Sequence, residues 1–129
     1  MKVQKLAGFQ RVYQAECFPE EVDKLFGKSS GEKSRYMNWL YTWLELLDRD
    51  GLKALNFEQF EHLIGTNKPR LYAIRHPRSK INERYIFVFG AGERSTLSTA
   101  FKEKNVKDYK VAIKRAESIY SQMEEYYEY

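Results

Sequence analysis

The feature that most constrains this chain is a change of hydrophobic period near residue 70. Before it, apolar residues recur at three- and four-residue spacings. After it come three short runs rich in β-branched and aromatic residues: Leu71-Tyr72-Ala73-Ile74-Arg75, Tyr85-Ile86-Phe87-Val88-Phe89 and Ser95-Thr96-Leu97-Ser98-Thr99-Ala100-Phe101. The connections are polar and carry Pro77 in the first and Gly90-Ala91-Gly92 in the second, so three strands joined as consecutive antiparallel hairpins are expected. A closing helix from about Asp108 to Glu125 would then present Val111, Ile113, Ala116, Ile119, Tyr120 and Met123 to the sheet.

Upstream, Phe9 to Cys17 carries Phe9, Val12 and Tyr13 and reads as a first strand. Pro19-Glu20-Glu21 suits a helix first turn, where a fixed φ and acidic charge are both favourable, and Gly27 marks its end. After the turn signal Ser29-Ser30-Gly31, Tyr36, Trp39, Leu40, Trp43, Leu44 and Leu47 make Glu32 to Asp50 an amphipathic helix closed by Gly51. At that spacing Trp39 and Trp43 read as core rather than as a stacking site for bases. Leu52 to Gly65 reads as a short helix or structured loop leading into the sheet. The expected fold class is α+β. Its small antiparallel sheet, an N-terminal strand plus a three-stranded meander, carries two N-terminal helices and a C-terminal helix on one side.

With 129 residues, 43% of them hydrophobic, the chain can build one core, so a single domain over 1–129 is expected, with the end of the chain, about 124–129, disordered. No apolar run approaches the roughly eighteen residues of a membrane span, and the opening lacks the unbroken apolar stretch of a signal peptide, which points to the cytoplasm. Cys17 is the only cysteine, so an internal disulfide and a cysteine-based zinc site are excluded and an idle thiol is the expectation. With no Gly-rich phosphate loop, no paired-histidine motif and only His62 and His76 in the chain, neither a metal nor a cofactor is expected.

The placement of charge says more than the net +4. Lys68, Arg70, Arg75, Arg78, Lys80 and Arg84 stand against Glu83 alone, and Lys102, Lys104, Lys107, Lys110, Lys114 and Arg115 against Glu103 and Asp108. Clustered cations suggest a polyanion partner, although any single lysine is more simply a solvated helix face. Alternation puts Arg75 with Ala73 on one face of its strand and Arg84 with Ile86 on one face of the next; whether the two faces coincide depends on register, which the sequence leaves open. If they do, these arginines, Lys102 and Lys104 after the last strand, and Tyr109 at the helix start converge. Such a group suits RNA cleavage by the ribose 2′-hydroxyl, with a fixed guanidinium such as Arg84 taking phosphate charge and a lysine, Tyr109 or His76 moving the proton. Tyr109 would also be available to stack on a base. The bland alternative pairs Arg75 and Arg84 with Glu83 or Glu93.

The run Arg70-Leu71-Tyr72-Ala73-Ile74-Arg75, its polar loop and Glu83-Arg84-Tyr85-Ile86-Phe87-Val88-Phe89 resemble the central hairpin of RelE/HigB-type toxins. Ser98-Thr99-Ala100-Phe101-Lys102-Glu103-Lys104 is similar to that family's last strand, and Asp108 to Ala116 to its closing helix. The resemblance covers roughly Leu55 to Met123. Ala73 and Glu103 depart from it, standing at a frequent lysine position and within the basic pair. It implies a toxin of a type II toxin–antitoxin system, an mRNA endoribonuclease acting at the ribosome without a cofactor. Arg75, Arg84, Lys102, Lys104 and Tyr109 would be its catalytic residues and Arg70, His76, Arg78, Lys80 and Lys107 its RNA-binding ones. It implies as partners mRNA, the ribosome and a cognate antitoxin, held in a hetero-oligomer. The wider superfamily also holds ParE-like toxins directed at DNA gyrase, and a non-catalytic nucleic-acid-binding regulator of the same fold is a further alternative.

Overall fold

The computed structural model describes residues 1–27, 30–63 and 70–123. In chain order its elements are β1 (Val3–Lys5), β2 (Val12–Ala15), α1 (Phe18–Phe26), α2 (Ser30–Asp50), a 3₁₀ helix (Gly51–Asn56), β3 (Phe60–His62), β4 (Tyr72–Arg75), β5 (Glu83–Phe89), a 3₁₀ turn (Ala91–Glu93), β6 (Ser95–Lys102) and α3 (Val106–Met123). The expected meander is β4-β5-β6, antiparallel throughout. Two parts of the expectation are corrected. The sheet has six strands in the order β1-β2-β6-β5-β4-β3, and it is mixed, because β2 runs parallel to β6. β1 and β3 have three residues each, too few to show a period.

The second correction concerns the helices, which cover both faces rather than one. Tyr72, Ile74, Tyr85, Phe87, Leu97 and Ala100 pack with Phe18, Val22 and Phe26 of α1 and Tyr36, Leu40, Leu44 and Leu47 of α2. Ala73, Ile86 and Val88 pack on the other face against Ala112 and Ala116 of α3. The reason is visible in β5: Glu83 to Val88 are all buried, and a strand buried on both sides needs cover on both. The small side chains Ala112 and Ala116 present α3 to that second face, whereas Val111, expected to face the sheet, is 60% exposed.

Local chemistry sets the helix ends. Pro19 stands in the first turn of α1, and Gly27, at φ 57°, follows its end. α2 stops where Gly51 takes φ 58°; Arg11 Nε and Nη2 donate to the Asp48 carbonyl at 3.0 and 2.7 Å, which caps the last turn. α3 starts two residues earlier than its periodicity suggests. There the Asn105 side chain accepts from the Lys107 N–H at 2.9 Å and the Asp108 carboxylate from the Asn105 N–H at 3.1 Å, a reciprocal cap. β2 pairs with β6 only through Ser95, Thr96 and Leu97, and α1 packs against β6 beyond that point. There the buried Glu21 accepts from Thr99 Oγ1 at 3.0 Å and Arg115 Nε at 2.7 Å, tying α1, β6 and α3 together.

Ser29, Ile64, Gly65, Lys68 and the acidic, tyrosine-rich end at 124–129 lie outside the described residues. Among those described, no helix is long and apolar enough to cross a membrane.

Candidate nucleic-acid interface

The register puts Arg75 directly opposite Arg84, and Arg84 opposite Phe101, so the two arginines share the α3 face of the sheet. Their guanidinium groups have different surroundings. Arg75 donates through Nε and Nη2 to the Glu58 carbonyl at 3.2 and 2.8 Å. Arg84 is held between two carboxylates, neither of them Glu83 nor Glu93: Nη1 meets Glu61 at 2.8 Å and Nη2 meets Glu103 at 3.1 Å. Its Nε is buried with no partner among the described residues. Tyr109 lies against it, with the guanidinium 5.2 Å from the ring centre, and donates its hydroxyl to Glu61 at 3.1 Å. Burial, and then the neighbouring Glu61 carboxylate, push this phenol up to about 12. Phe101 also meets the ring, edge-on at 5.3 Å, and Tyr109 lines a cavity of about 350 Å³ together with Glu61, His62 and Lys110.

The other cations proposed from the sequence separate into three places. Lys102 is opposite Glu83 in the ladder, one residue out of phase with Arg84 and therefore on the other face. Lys104 is exposed, and its backbone N–H donates to the Asp108 cap at 2.8 Å. Lys102 and Lys107 line a groove of about 620 Å³ between α1, β6 and α3, with Lys24 and Arg115 on its rim. Arg70 precedes β4 and lies about 20 Å of extended chain from His76. Arg78 and Lys80, by contrast, stand in the β4–β5 loop beside His76.

That loop is organised on one buried acid. Glu83 is fully buried and receives three hydrogen bonds, from His76 Nδ1 at 2.8 Å, Ser79 Oγ at 2.6 Å and Tyr85 OH at 2.8 Å. The Asn82 N–H donates to Ser79 Oγ at 2.9 Å, and the Asn82 side chain reaches across to Glu103. Arg78 and Asn82 take positive φ, 65° and 48°, which turns the loop tightly over the acid. The His76 ring stacks on Trp39 at 3.7 Å with an interplanar angle of 8°, and Tyr36 meets it edge-on at 5.5 Å. Burial and the adjacent Glu83 carboxylate raise the pKa of Tyr85, so it stays a donor to that acid.

His76 lines two adjoining cavities. One, of about 240 Å³, is bordered by Glu58, Arg75, Arg78, Asn82 and Arg84; the other, of about 380 Å³, by Arg35, Trp39, Arg78 and Lys80. Among the described residues none of Arg35, Arg75, Arg78, Lys80, Lys102, Lys104 and Lys107 is in an ion pair. The β4–β5 loop and the start of α3 thus carry cations that are in no ion pair, alongside the acids Glu58, Glu61, Glu83 and Glu103. No group of three or more histidine, cysteine, aspartate or glutamate side chains among the described residues could hold a metal ion. Cys17 is half-buried, and burial, then Glu21, push its thiol up.

Sequence reasoning missed the placement of Glu83 and the use of Trp39. The signal for the first was present: Glu83 and Tyr85 are two apart at the head of an apolar strand, so an inward tyrosine implies an inward acid. Nothing local could join Trp39 to His76, which belong to elements distant in the chain. The fold and this end of the sheet define an α+β protein with a cationic, cavity-bearing surface around a half-buried histidine. No protein-family model matches the chain, and no curated protein matches its sequence.

Proposed function

We propose that this protein is the toxin component of a type II toxin–antitoxin system, an endoribonuclease acting on translated mRNA. The observation that carries the reading is the group of cations, Arg75, Arg78 and Lys80, around His76 at the mouth of two cavities. A phosphodiester needs charge neutralised at its non-bridging oxygens and a proton moved from the ribose 2′-hydroxyl, and these residue types supply both. The Arg78 guanidinium suits the phosphate because its fork matches the oxygens, and Arg75, whose Nε and Nη2 are given to the Glu58 carbonyl, adds charge. The resemblance of the β4–β5–β6 segment to RelE/HigB-type toxins supports the same reading. The partner that silences it would be an antitoxin whose acidic segment covers this cationic end.

The test is a cell-free translation reaction in which mRNA ends are mapped by primer extension. New ends within codons are expected with the wild type, and at least tenfold fewer with Arg75→Ala or Arg78→Ala. Intact mRNA in a reaction that the protein nonetheless arrests would refute the reading. One arrangement favours a second reading, a ParE-like, protein-directed toxin: the Arg84 guanidinium is already balanced by Glu61 and Glu103. Inhibition of gyrase supercoiling with no effect on mRNA would decide for it.

A further inference from the structure

If RNA is cleaved at this end, the proton must be handled by some group, and besides the lysines two ring-bearing side chains there could do it. One is Tyr109 beside Arg84. Its hydroxyl hydrogen is committed to Glu61 at 3.1 Å and its ring packs against Arg84 and the edge of Phe101, and both Nη atoms of Arg84 are occupied by carboxylates. A phosphate approaching that pair would meet two negative charges for one positive.

The other candidate is His76, and its surroundings are those of an oriented base. A carboxylate only accepts hydrogen bonds, so the 2.8 Å contact to Glu83 Oε2 puts a hydrogen on Nδ1, and in the neutral imidazole the lone pair is then on Nε2. Among the described residues Nε2 has no hydrogen-bond partner. The carboxylate is itself fixed by Ser79 and Tyr85, and the ring plane is fixed by Trp39. The imidazole cannot rotate without losing either the stack or the bond. A histidine that merely filled space would need neither an acid with zero exposure behind it nor a mouth onto two cavities.

Resting on the ribonuclease reading above, we infer that His76 is the proton-transfer residue of this protein, with Glu83 and Trp39 as positioning residues, and that Arg84 and Tyr109 form a structural clamp. His76 Nε2 takes the proton of the ribose 2′-hydroxyl while the 2′-oxygen bonds to phosphorus and the bond from phosphorus to the 5′-oxygen breaks. The proton passes from the imidazolium, through water, to the departing 5′-oxygen. The products are a 2′,3′-cyclic phosphate and a 5′-hydroxyl, and His76 ends neutral.

The experiment uses the full chain in the translation reaction, with end chemistry read by enzymatic phosphorylation of the 5′ ends, alongside binding of a fluorescent RNA oligonucleotide. His76→Ala is expected to keep the oligonucleotide affinity within about threefold and lose cleavage by about 100-fold or more, with part of it restored by added imidazole. Glu83→Gln, which keeps the shape, is expected to slow cleavage about tenfold or more and to change the ¹⁵N tautomer signature of His76. The proposal is overturned if His76→Ala cleaves normally, if imidazole restores nothing to a folded His76→Ala, or if the ends carry 5′-phosphates. Wild-type protein that neither binds nor cuts RNA would instead sink the ribonuclease reading itself.

Discussion

Arg75 and Arg84 are Cα partners across β4 and β5, yet one guanidinium ends on a peptide carbonyl and the other between two carboxylates. The two guanidinium groups thus meet different partners on one face of one ladder. Both arginines border the cavity beside His76. Arg84, with a side chain only 10% exposed, holds β3 and the segment after β6 to β5 through Glu61 and Glu103.

The clamp should show itself in stability. Arg84→Met leaves Glu61 and Glu103, each about a quarter exposed, without their shared cation, and is expected to cost about 2–3 kcal/mol, less than a fully buried pair would. Adding Glu61→Gln should recover part of the loss. Urea denaturation of the single and double variants checks this, and an unchanged midpoint for Arg84→Met would show that the clamp contributes nothing.

The cationic end should appear in the salt dependence of RNA binding. Arg78→Ala and Lys80→Ala are each expected to reduce the slope of log K against log salt by about 0.7, the value for one contact to a single strand. Arg49→Ala, whose guanidinium is paired with Asp50 at the end of α2, should leave the slope unaltered. Equal slopes for all four proteins would mean that the loop cations do not touch the strand.

Acid should loosen the junction of α1, β6 and α3. Burial pulls the Glu21 carboxyl up, but hydrogen bonds from Arg115, Lys24 and Thr99 outweigh it and hold the group below its ordinary 4.5. A depressed carboxylate adds stability that is present above its unfolded value and lost as pH falls through the folded one. Thermal melts from neutrality to about pH 3 should therefore fall more steeply for the wild type than for Glu21→Gln. Parallel curves would remove Glu21 from the acid transition.

Gly51 carries a backbone requirement. At φ 58° an added Cβ would lie 2.8 Å from Glu93 Oε1, the oxygen that accepts the Leu52 N–H at 2.9 Å. Gly51→Ala is expected to lower stability by about 1 kcal/mol or more, read as a drop in melting temperature. A neutral result would mean that the turn after α2 relaxes freely.

What was legible in the sequence was local. The apolar stripe of Tyr36, Leu40, Leu44 and Leu47 marks α2, Pro19 and Gly27 bracket α1, and the three β-patterned runs give the meander, because each signal repeats within a few residues of itself. Trp39, expected in the core, is only partly buried against it, and its stack beneath His76 was not legible.

Tertiary structure alone decided the parallel pairing of β2 with β6, the crossing of α3 to the opposite face, and the partners of every charged residue at the candidate site. Each depends on residues far apart in the chain meeting after the sheet has closed, and a one-residue change of register would exchange the faces. Composition supplied the cations, the acids and the histidine. Which cation stayed open to an anion, and which was taken by a carboxylate, followed from the ladder.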